Sequence, residues 1–121
     1  MSLQLPLKNE WFEMTRDGIK TEDYREITPY WCNRLLRYGQ STESSLFWKR
    51  LVDLNKVVDF NGCVNPKPFT QTTLTLGYPK STDTDRIIKF EHKGIEIREG
   101  KPEWGAEKGK LYFVIKHGKK L

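Results

Sequence analysis

Gly18-Ile19-Lys20-Thr21-Glu22-Asp23-Tyr24-Arg25 joins an amphipathic segment to a β-rich one, and the reading of this octet decides the fold. Glycine at its head can take the left-handed conformation that ends a helix, so Gly18 marks a helix stop. Beyond the turn, Thr21 to Ile27 suits a strand whose Thr21, Asp23, Arg25 and Ile27 share a face by the period of two. Lys20 lies in the turn itself, where that period does not set its direction. Chain leaving a helix end sits at a surface corner. A cation, an acid and a second cation gathered there suit a phosphate or carboxylate ligand, with the acid orienting the basic groups. The octet reads equally as a helix stop followed by a polar strand with ordinary surface ion pairs.

Upstream, Leu3-Gln4-Leu5-Pro6-Leu7 alternates apolar and polar positions and predicts a short strand that Pro6 places at an edge or an end. Asn9 is positioned to cap a helix from Glu10 to Asp17, with Trp11, Met14 and Thr15 on one face. Downstream, Thr28-Pro29 combines a hydroxyl cap with proline at the first helical position and predicts a second helix running to Tyr38, stopped by Gly39. Trp31, Leu35 and Tyr38 would form its apolar stripe, leaving Tyr30, Asn33, Arg34 and Arg37 on a basic, partly aromatic face. Such a face suits a nucleic-acid backbone, and a solvated outer face has the same composition. Gln40 to Ser45 reads as a loop. Ser45 is placed to cap a third helix through Leu54, with Phe47, Leu51 and Leu54 at helical spacing.

From Lys56 onward the pattern turns to strands. Val57 to Phe60 leads into the turn pair Asn61-Gly62 and a loop broken by Pro66 and Pro68. Thr70 to Leu76, Arg86 to His92, Gly94 to Arg98 and Leu111 to His117 follow, mostly rich in β-branched or aromatic residues. Gly77 to Asp85 reads as a flexible hairpin loop. Helices early and strands late predict an α+β domain whose sheet curls into a small barrel.

Composition narrows the function. The 121 residues fit one domain, with a core that needs no metal or disulfide, and 36% hydrophobic content argues against disorder. No apolar run approaches a membrane span and Met1 to Leu5 carries no signal pattern, so the expectation is a cytoplasmic protein with no membrane partner. Cys32 and Cys63 lie in unrelated contexts and read most simply as reduced core or surface thiols, with a disulfide between them as the alternative. The net charge of +5 favours an anionic partner. The only dense basic block is Lys116-His117-Gly118-Lys119-Lys120, which also reads as a frayed tail. His92 and His117 lie in strand contexts without metal-ligand spacing and read as surface or packing residues; no metal or other cofactor is expected. Trp104 beside Gly105 could stack a base or plug one end of a barrel.

Gly18-x-Lys20-x-x-Asp23-x-Arg25 resembles the signature of the ASCH domain family, a branch of the PUA-like β-barrels whose sixth octet position is usually glutamate. Trp104-Gly105-Ala106 and Tyr112-Phe113-Val114-Ile115-Lys116 resemble the closing segment of small stand-alone bacterial and phage members, and Tyr30-Trp31 extends the similarity. Residues 40–54 look like an insertion in an otherwise single domain covering 1–121.

The resemblance implies a small β-barrel with two or three helices beside it and a cleft lined by the octet, binding RNA or a nucleotide in RNA metabolism. Lys20 and Arg25 would be the cleft cations, Asp23 the acid, and Gly18, Thr21, Tyr24 and Trp104 further ligand-binding positions. Asp23 and Arg25 could instead hold each other at the barrel mouth. One subgroup is an amidohydrolase acting on N4-acetylcytidine, in which a lysine activates a threonine three residues on. That position here is Asp23, and Thr21 in a strand points away from its neighbour's face. Lys20 and Asp23 remain catalytic candidates for hydrolysis by another arrangement, and Lys20, Arg25 and an acid for RNA cleavage.

Overall fold

The computed structural model describes residues 1–39, 45–60 and 62–121. They fall into two units, one built from residues 1–23, 68–94 and 115–121, the other from 24–67 and 95–114.

In the first unit, strand β1 (Ser2–Leu7) is followed by helix α1 (Asn9–Arg16). Lys8 rather than Asn9 is the N-cap, in extended conformation and without a side-chain cap bond, so Asn9 is already helical. At the other end Gly18 takes φ +78°. Its N–H donates to the Thr15 carbonyl at 3.2 Å and that of Ile19 to the Met14 carbonyl at 3.0 Å, the Schellman pair of bonds. Lys20 N–H also reaches the Met14 carbonyl, at 3.1 Å, so the chain folds back on the helix end before entering strand β2 (Glu22–Glu26).

β1 lies parallel to strand β5 (Gln71–Leu76), and β5 pairs antiparallel with strand β6 (Ile87–Glu99). Leu3, Leu5 and Leu7 are buried on β1, as are Thr72 and Leu74 on β5, Ile88 and Phe90 on β6, and Phe12 and Thr15 on α1. The alternation expected for a half-buried strand is clear on β1. The sequence suggests two strands across 86–98, but β6 is continuous: Gly94, at φ +119°, absorbs the irregularity inside one strand.

The second unit holds helix α2 (Pro29–Leu35), with the Thr28 hydroxyl accepting from Trp31 N–H at 3.3 Å as the Thr-Pro start requires. This helix does not reach Tyr38. Leu36–Tyr38 is strand β3, antiparallel to strand β4 (Val64–Pro66) in a two-stranded sheet. The backbone groups of 36–38 are satisfied by a partner distant in sequence, which local periodicity does not register. The apolar stripe shifts accordingly: Cys32, Leu35 and Leu36 are buried, Tyr38 is exposed, and Arg37 lies on β3.

Helix α3 (Ser45–Asp53) buries Trp48 completely, while Leu54, read as part of its face, is 61% exposed beyond its end. Val57 to Phe60 forms no strand, and strand pairing falls instead on 64–66, within the stretch read as a loop. Of the loop expected over Gln40 to Ser45, residues 40–44 lie outside the described residues, as does the Asn61 half of the turn pair, while Ser45, expected as the cap, is already the first helical residue of α3.

Strand β7 (Leu111–Lys120) runs through the basic block, which is therefore ordered strand rather than frayed tail. The larger sheet has strand order β1-β5-β6-β7-β2. With three α-helices among the described residues and a mixed sheet, the chain is of the α+β class. No described helix is long and apolar enough to cross a membrane.

The Gly18 turn gives a direct test. Gly18→Ala would meet nothing within 4 Å, so its whole cost is the left-handed backbone. Thermal or denaturant unfolding should show a loss of about 1 to 2 kcal/mol, with Gly18→Asn losing less.

Candidate functional site

The Schellman turn after α1 sets Lys20 inside the first unit, where it is 3% exposed. Its Nζ donates to the Glu22 carbonyl at 2.8 Å and forms a short ion pair with Asp23 Oδ1. Asp23 is 1% exposed, and its other oxygen, Oδ2, accepts from His117 Nε2 at 2.6 Å. The His117 side chain is 2% exposed and stacks on Phe90 with ring centroids 5.5 Å apart. Its backbone N–H donates to the Thr21 carbonyl at 3.0 Å, fastening β7 beside the octet. Lys20, Asp23 and His117 thus form one buried row, with the Trp11 ring 5.9 Å from Nζ.

Burial alone would push the Asp23 carboxyl up. The hydrogen bond from His117 and the positive charge of Lys20 outweigh it and hold the group below its ordinary value. An ionised Asp23 makes Nε2 the protonated nitrogen of His117. In the neutral ring Nδ1 is then an acceptor, and this buried atom has no hydrogen-bond partner. On the neighbouring strand His92 binds the Thr72 hydroxyl through Nδ1 at 2.9 Å. Burial first, and then the charge of His117, holds His92 below its ordinary value.

The sequence-selected residues separate. Lys20 and Asp23 come together; Thr21 supplies its carbonyl, and Gly18 shapes the turn. Tyr24, Arg25 and Trp104 belong to the second unit. Tyr24 packs on Ala106, Tyr112 and Val114 and accepts from Lys101 N–H at 2.9 Å through its hydroxyl. Trp104 ends a 3-10 turn, half-buried, with Lys101 Nζ 4.3 Å from its ring centroid. His117 corrects the sequence reading: it is neither a surface residue nor a mere packing residue but the second partner of Asp23. Its only signal was membership of the basic block, which says nothing about a contact with residue 23.

In the second unit a different cluster gathers on α2. Tyr30 and Trp31 meet edge to face at 5.1 Å, with Tyr30 61% exposed. The Arg25 guanidinium lies 5.1 Å from the Trp31 centroid, and that of Arg34 lies 5.7 Å from Tyr30 and 5.8 Å from Trp31. Lys67 donates to the Asn33 carbonyl at 2.8 Å; burial, and then the charge of Arg34, holds its ammonium below the ordinary lysine value.

Cys32 and Cys63 are free thiols, and burial pushes Cys32 up to about 12, which leaves it a neutral core residue. Among the described residues no three His, Cys, Asp or Glu side chains converge as metal ligands. Comparison with protein-family models, with curated proteins and with solved structures finds no match.

The buried row carries a pH signature. Asp23, with its folded value depressed, contributes stability that is present above the unfolded carboxyl range of about 3.9 and lost as pH falls through the lower folded value. His92, also depressed, contributes stability that starts to fall below about pH 6.5. Denaturant unfolding across pH should therefore show two successive losses on acidification. Asp23→Asn strands the buried Lys20 charge and should cost about 3 to 5 kcal/mol at neutral pH, while removing the lower of the two steps.

Proposed function

We propose that this chain binds RNA or a nucleotide, as its resemblance to ASCH domains implies, and that α2 and its surroundings form the contact surface. One observation carries the reading. Arg34 lies over both the Tyr30 and Trp31 rings while its charge also bears on Lys67, so cations are concentrated around stacking surfaces. A phosphate relieves the repulsion between Arg34 and Lys67, and a base stacks on Tyr30, the more exposed ring. Lys20 is less suited to meet a ligand directly, since its ammonium is already committed to Asp23 and the Glu22 carbonyl.

Hydrolysis of a modified nucleoside is a second reading, favoured by the Asp23–His117 pair. A carboxylate that binds Nε2–H and leaves Nδ1 without a partner is the arrangement that orients an imidazole as a general base. Incubation with N4-acetylcytidine decides it. Acetate release that His117→Gln abolishes supports hydrolysis, and absence of release from the unaltered protein removes it.

The binding reading is tested by titrating a single-stranded RNA of about 12 nucleotides, within the range that small single-strand binders cover. Tyr30→Ala should weaken binding by about 1 to 3 kcal/mol with little change in salt dependence. Arg34→Ala should lower the slope of log affinity against log salt by about 0.7, one phosphate's worth on a single strand. Unaltered affinity and slope in both variants would remove this surface from the account.

A further inference from the structure

The first unit carries a groove of about 990 Å³ that neither the buried row nor α2 uses. β1 contributes Ser2 and Gln4 to it, and β5 contributes Gln71 and Thr73. Strand register aligns these side chains: Ser2 lies opposite Gln71, Gln4 opposite Thr73, and Thr73 opposite Lys89 on β6. Gln4, Thr73 and Lys89 form a row across three strands, spanning about 10 Å at the usual interstrand spacing. The Ser2 and Thr73 hydroxyls are 3.3 Å apart, so one end of the row is tethered.

Cations stand at the edges. Arg16 is partly neutralised by Asp17, 3.1 Å away. Lys89 and Lys120 are exposed and have no side-chain partner among the described residues. Among the described lining residues Asp85 is the one acidic side chain, Ile87, Ile88 and Leu121 are apolar, and none is aromatic. Hydroxyls, carboxamides and ammonium groups are the side chains that contact phosphate and sugar. Without a ring to stack on, the groove offers no base platform. Its chemistry differs from that around Tyr30, where rings and guanidinium groups occur together.

We infer that this sheet face is a second nucleic-acid contact, a track that holds the sugar-phosphate backbone of single-stranded RNA without reading its bases. Lys89 and Lys120 neutralise phosphates, while Gln4, exposed beside the buried Thr73, donates to phosphate oxygens or bonds ribose hydroxyls. The choice of RNA as occupant rests on the binding reading above; the backbone chemistry follows from the groove itself.

The experiment pairs two strands of equal length, a single-stranded RNA and an abasic ribose-phosphate strand, each titrated over a salt series. The proteins are the unaltered chain, Lys89→Gln/Lys120→Gln and Tyr30→Ala. The double variant should lower the salt slope by about 1.4 for both strands, two phosphates at about 0.7 each, with an unchanged melting temperature. Tyr30→Ala should weaken the RNA and leave the abasic strand unaffected. Backbone amide shifts at Gln4 and Thr73 should move with the abasic strand. The track is overturned if the abasic strand fails to bind at low salt, if the double variant binds it as the unaltered chain does, or if those amides stay still. Loss of both strands in the double variant, with Tyr30→Ala binding RNA normally, would keep the track and overturn the α2 surface instead.

Discussion

A lysine ammonium withdrawn from water has to be neutralised, and the placement of Lys20 makes this the governing constraint of the first unit. Gly18 turns the chain back on α1, Lys20 enters the interior, and Asp23 lies within reach three residues later. One carboxylate oxygen binds Lys20, which leaves the other in need of a donor. His117 supplies it from β7. The buried charge thereby links a helix end, the start of β2 and the end of β7.

Such a row is a poor source of net stability, because the desolvation of its members offsets most of their attraction. Its physical consequence is uniqueness of register. A slip of β7 by one residue would turn His117 to the opposite face and place a neighbour opposite Asp23. Lys116 would add a second cation to the site, and Gly118 would offer no side chain. Both alternatives lose the 2.6 Å bond that completes the carboxylate. The bond from His117 N–H to the Thr21 carbonyl enforces the same register through the backbone.

The excess positive charge is organised rather than uniform. Around α2 the guanidinium groups lie over aromatic rings and Lys67 is crowded by Arg34. On the sheet face of the first unit, Lys89 and Lys120 border hydroxyl and carboxamide groups. Net charge alone anticipates neither arrangement, since it depends on which residues share a surface.

The sequence by itself determined the elements whose cause is local. The Gly18 stop follows from glycine's access to positive φ, the start of α2 from the Thr28-Pro29 pair, and the buried face of β1 from strict alternation of Leu3, Leu5 and Leu7. The pairing of Lys20 with Asp23 was within reach too, being only three residues apart across a turn. What depended on distant partners was not legible. Leu36–Tyr38 continues a helical pattern yet becomes a strand because Val64–Pro66 supplies its hydrogen bonds, and 57–60 looks like a strand yet has no such partner. His117 is the sharpest instance at the site itself. Ninety-four positions separate it from Asp23, and no periodicity spans that interval. Only the tertiary fold decided that a histidine in a basic run would complete a buried carboxylate, because a hydrogen bond is selected by proximity in space, which local sequence rules do not encode.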